Sequence, residues 1–127
     1  MHAQYILKIQ NAISTAISIL DKIQAEQDLQ KSRNLREALW HAAEESEYAA
    51  AVLSLSHGLT DFDPELREIN VKKRTTGDQA GLARTFLQDS LALLGSKPKQ
   101  SYEKLRYAVQ VLRTIQAEIK RKPLESE

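Results

Sequence analysis

The chain has 127 residues, 42% of them apolar and 28% charged, with a net charge of +1 and no cysteine. That length allows one domain with a core of its own, and the proportions exclude wholesale disorder. The absence of cysteine excludes disulfides, thiolate metal ligation and a cysteine nucleophile, and it fits a reducing compartment.

The amino-terminal stretch MHAQYILKIQ lacks the basic region and continuous apolar run of a secretory signal. The apolar run at 49–56 is far short of the roughly twenty residues that span a bilayer. A cytoplasmic protein without a membrane partner is therefore expected.

The first apolar seam is Ile6, Ile9, Ile13, Ala16, Leu20 and Ile23, in alternating steps of three and four. Ala12, Ile17 and Ile19 widen it to the stripe of a core-facing helix. No glycine or proline interrupts residues 1–57, yet the seam does not run on in phase. The twelve residues from Ile23 to Leu35 rotate the next seam by about 120°. Asn34 with Glu37 has the spacing of a capping box, so a helix break is expected near residues 30–34.

A second helix carries Leu35, Leu39, Ala42, Ser46, Ala49, Leu53 and Ser56 on one seam and ends at Gly58. Its many small residues let a neighbouring backbone approach closely. The long connection 58–77 contains Asp63-Pro64, a helix-start signal, and a short helix over 64–70 is predicted there.

A third helix is predicted over 78–94, capped by Thr76 with Gln79 and closed by Gly95. Its apolar face is Leu82, Ala83, Phe86, Leu87, Leu91 and Leu94. The fourth starts near Ser96 to Lys99, tolerates Pro98 in its first turn and runs to about Arg121. Its seam is Tyr102, Leu105, Val109, Leu112, Ile115 and Ile119.

These elements predict an all-α protein. The expected form is an up-and-down antiparallel four-helix bundle with a short extra helix between helices 2 and 3. One domain over 1–122 and a frayed tail over 123–127 are expected.

Three features could carry function. On a helical wheel, at about 100° per residue, Glu37, Glu44 and Glu45 all lie within about 60° of His41, away from the core seam. Such a nest could bind metal, but carboxylate-bridged sites in bundles take Glu-x-x-His from two helices. Here the order is His41-x-x-Glu44 and no other helix repeats it. The expectation is a solvated acidic face with no cofactor or metal. Trp40, the only tryptophan, flanks this face as a boundary residue or an interface anchor.

Arg36 and His41 satisfy the Arg-x4-His spacing of HEPN ribonucleases, which are also helical bundles. In those families the motif comes late in the domain, usually with a polar residue such as Asn or Asp after the arginine. Here it opens the second helix and Glu37 follows Arg36. A ribonuclease or metal-dependent enzyme therefore ranks third among the functional readings. Among the nucleophile and phosphate-binding patterns, neither a glycine-rich phosphate loop nor a serine elbow occurs.

The charges are unevenly divided. Residues 1–69 hold 6 Lys and Arg against 11 Asp and Glu, a charge of −5; residues 70–127 hold 12 against 6, a charge of +6. Lys99, Arg106, Arg113 and Lys120 recur every seven residues beside the apolar seam of the fourth helix, and Lys72, Lys73 and Arg74 form a basic loop. The stripe suits acidic protein neighbours first and nucleic-acid phosphates second. The leading expectation is a binding protein, an adaptor, scaffold or regulatory subunit, that pairs with itself as a homodimer or with another protein. A nucleic-acid partner is the alternative.

Overall fold

A computed structural model describes residues 3–25, 33–67 and 75–121. Four helices occupy almost all of them: α1 (Ala3–Ala25), α2 (Arg33–Ser56), α3 (Thr76–Leu93) and α4 (Pro98–Arg121). No strand occurs among the described residues. The predicted seams supply most of the core, but in α3 Ala80 and Ser90 are buried while Phe86 and Leu91 are half-buried, and in α4 Ala108 and Val111 are buried while Val109 is half-buried. Ile9, Ile13, Ala16 and Leu20 of α1, Leu39, Ala42, Ser46, Ala49 and Leu53 of α2, and Leu105 and Leu112 of α4 are fully buried.

The element ends follow local chemistry, with small shifts from expectation. Gly58 has φ 64°, a left-handed conformation that costs glycine least. Around it the Leu59 N–H donates to the Ser54 carbonyl (2.8 Å), the six-to-one bond of a Schellman cap. Leu59 itself is buried, so α2 is closed by both a polar and an apolar contact. The cap of α3 lies one residue earlier than expected: Thr75, not Thr76, accepts from the Asp78 N–H at 3.1 Å. Asn34 sits inside α2, which begins at Arg33, rather than ahead of it.

α1 packs beside α2 and α3, and α4 packs beside the same two, leaving α1 and α4 on one diagonal. Asp21 meets Arg84, and Gln24 lies against Gly81, so α1 and α3 are antiparallel. Ser90 meets Ser101 and Phe86 stacks on Tyr107, so α3 and α4 are antiparallel. Phe62, just past α2, meets Tyr102, while Glu47 meets Arg113; α2 and α4 are antiparallel too.

These pairings make α2 and α3 run in the same direction across the other diagonal. The order is up, down, down, up, and the alternating up-and-down order expected from two hairpins is not the one that these contacts give. The chain therefore has to return along the bundle between α2 and α3, a distance of about 27 Å for the 18 residues of α3. This return is why the connection is long.

The short helix predicted over 64–70 is absent from 64–67, which carry no helical turn; 68–70 lie outside the described residues. In a helix begun at Pro64, the Arg67 N–H would donate to the Asp63 carbonyl. Instead it donates to the Tyr107 hydroxyl at 2.9 Å. A tertiary hydrogen bond has replaced the local one. Pro64 is buried and Phe62 packs on Tyr102, so the segment is a strap laid over α4. From 101 to 116, every residue of α4 is buried or half-buried.

Candidate interaction surface

The basic stripe of α4 is engaged within the chain. Lys99 Nζ lies 5.6 Å from the centre of the Phe62 ring, a cation–π contact that holds the start of the strap. Arg106 donates to the Tyr102 hydroxyl at 3.0 Å and lies over the same ring. Arg113 forks onto Glu47, Nε to Oε2 at 3.1 Å and Nη2 to Oε1 at 2.5 Å. The same Nη2 reaches Glu44 at 3.5 Å, and Nη1 donates to Gln116. The hydrogen bond to Glu47 is the main cause that raises the Arg113 pKa above its ordinary value, against the opposing effect of burial.

Lys72, Lys73, Arg74 and the side chain of Lys120 lie outside the described residues, as does the expected frayed tail. In the described part of the stripe Lys99 meets the strap, Arg106 the Tyr102 ring of α4 itself and Arg113 the glutamates of α2, because the seven-residue spacing places the stripe just beside the core face. Reasoning from sequence missed two partners. Glu47 lies away from His41 on the wheel, yet it stands three residues from Glu44 and on the side that meets Arg113. Lys104, 5.7 Å from the Phe86 ring centre, lies outside the heptad stripe altogether.

The acidic residues around His41 lie on the outer side of α2. Glu37, His41 and Glu44 are exposed and Glu45 is half-buried. Among the described residues, no group of three or more histidine or acidic side chains is placed to hold a metal ion. Glu44 turns toward Arg113 rather than toward His41. Arg36 and His41 are both exposed on the first half of α2.

The outer face of α2 holds more than acids. Trp40 is 56% exposed, Tyr48 48% and Leu55 74%. Their intervals of eight and seven residues set them in a row about 22 Å long on one side of the helix. The exposed large apolar side chains among the described residues are these three with Tyr5 and Leu7, and all five lie on α1 or α2. α1 adds an uncharged surface: between Lys8 and Asp21 its exposed residues are Gln10, Asn11, Ser14, Thr15 and Ser18. The described part of the strap packs on α4, whereas the exposed large apolar side chains among the described residues stand on α1 and α2.

Among the described residues, no helix is long and apolar enough to cross a membrane. Compared with protein-family models, with characterised proteins and with solved structures, the chain shows no match.

Proposed function

We propose that this chain acts by binding another protein, as an adaptor, scaffold or regulatory subunit, and that the outer face of α2 is its binding face. The observation that carries this reading is the one-sided distribution of exposed apolar residues. A row containing tryptophan, tyrosine and leucine on a rigid helix has the composition of an interface centre. Such a patch rimmed by polar groups is a mark of an interaction site. The basic stripe supports it less, because Lys99, Arg106 and Arg113 already have partners within the chain. For the same reason, pairing of the acidic and basic halves does not require a second copy.

The test is affinity capture from the native host with two baits, the natural chain and a Tyr48→Ser, Leu55→Ser variant. A protein held by the first and lost by the second is expected. The same proteins on both baits, or none on either, would overturn the reading.

A further inference from the structure

The row on α2 also has a charge, and that charge bears on what can cover it. From Glu37 to Ser56 the helix contains four glutamates and no lysine or arginine. Arg113 of α4 answers Glu47 and reaches Glu44, but no ion pair to Glu37 or Glu45 occurs among the described residues. Trp40, Tyr48 and Leu55 thus stand near two carboxylates, Glu37 and Glu45, that have no cation partner among the described residues, along about four helical turns between Trp40 and Leu55.

We infer that the occupant of this face is a basic amphipathic helix of a partner protein, with apolar residues laid along Trp40, Tyr48 and Leu55 and Lys or Arg set against Glu37 and Glu45. The inference rests on the binding role proposed above and adds the chemistry of the partner. A helix matches a helix row because its apolar residues recur every three or four positions and meet such a row along its length. The cations of the partner supply the opposite charge that Glu37 and Glu45 lack among the described residues, which steers docking and sets its direction.

A second copy of the chain fits less well. Brought face to face, two copies would set Glu37, Glu44 and Glu45 among their own kind. The other exposed apolar side chains, Tyr5 and Leu7, lie on α1, whose cations Lys8 and Lys22 stand near its opposite ends. The cations of α4 at 99, 106 and 113 are occupied by rings and carboxylates.

Trp40 is the only tryptophan, so its emission reports on the face directly. The probes are two synthetic eighteen-residue helical peptides with the same leucine pattern, one with lysine and one with glutamate at the flanking positions. Expected is a saturable blue shift with the Leu/Lys peptide at one peptide per chain, weakening as salt rises. The affinity should fall at least tenfold in Tyr48→Ser, Leu55→Ser and in Glu37→Lys, Glu45→Lys, with helical content unchanged by circular dichroism.

Equal binding of the Leu/Glu peptide, unchanged affinity in either variant, or no shift with either peptide would overturn the inference. So would light scattering that shows a dimer dissociated by Leu55→Ser, since the occupant is then a second copy. Binding of only the Leu/Glu peptide, lost in the Leu55 variant, refutes the basic partner yet leaves the face as a protein-docking site. Failure of the binding role itself is read separately, from the two capture baits.

Discussion

Ser90 of α3 and Ser101 of α4 bond to each other's backbone across the tight turn that joins the two helices. The Ser101 hydroxyl donates to the Ser90 carbonyl at 2.7 Å, and the Ser90 hydroxyl donates to the Ser101 carbonyl at 2.8 Å. Both residues are fully buried. The two bonds are not equivalent. Ser90 lies in the last turn of α3, where carbonyls lose their helical donors, and the Leu94 N–H donates to Leu91 instead. The carbonyl of Ser101 lies inside α4 and has the helical ladder available.

Ser101→Ala is therefore expected to destabilise by about 1–3 kcal/mol, the cost of a buried acceptor left unpaired. Ser90→Ala should cost less. Urea denaturation of the two variants checks the order, and a larger loss in Ser90→Ala would contradict it.

The fork of Arg113 on Glu47 predicts a measurable but small coupling. Both side chains are more than a third exposed, so solvent screens the pair. A double-mutant cycle with Arg113→Met and Glu47→Gln should give about 0.5–1 kcal/mol, falling in high salt. Arg113→Lys should lose most of it, because an ammonium cannot present two parallel N–H donors.

Two glycines should respond to alanine with opposite signs. At Gly58 the positive φ makes Gly58→Ala destabilising, by about 1 kcal/mol. At Gly81 a methyl group would meet only the side-chain amide of Gln24, at 2.8 Å. That flexible end can swing into solvent, so Gly81→Ala should gain up to about 1 kcal/mol of helix propensity. Thermal melts of the pair test this directly.

Tyr107→Phe removes the acceptor of the Arg67 N–H while keeping the stack on Phe86. A loss of about 1 kcal/mol or less is expected. The sharper readout is amide exchange at Arg67, which should quicken while the buried amides of α4 keep their protection.

Leu53 and Leu55 stand two residues apart on α2, and they separate folding from binding. Leu53 is fully buried and Leu53→Ala should cost about 2–5 kcal/mol. Leu55 is largely exposed, and Leu55→Ser should change stability by no more than about 0.5 kcal/mol. A large loss in Leu55→Ser would mean that this side chain supports the fold.

By itself, the sequence determined the helices, most of their buried seams and several of their ends. Ile9, Ile13, Leu20 and Leu53 can be read as core because side-chain direction along a helix repeats every 3.6 residues, whatever lies opposite. Gly58 and Pro98 mark helix ends for equally local reasons of backbone conformation. The exposure of Glu37 and His41 follows from the same wheel.

Only the tertiary structure decided the direction of α3, because that depends on where the connection goes, and the connection is held by residues far away in sequence. Arg67 bonds to Tyr107, forty residues on, and so Asp63-Pro64 starts a strap rather than a helix. The same nonlocal choice brings α4 beside α2, which gives Arg113 to Glu47 and Lys99 to Phe62. Trp40, Tyr48 and Leu55 stay exposed on the outer side of α2. Local periodicity shows which face of a helix is apolar, but which element comes to lie against that face is set by contacts between distant parts of the chain.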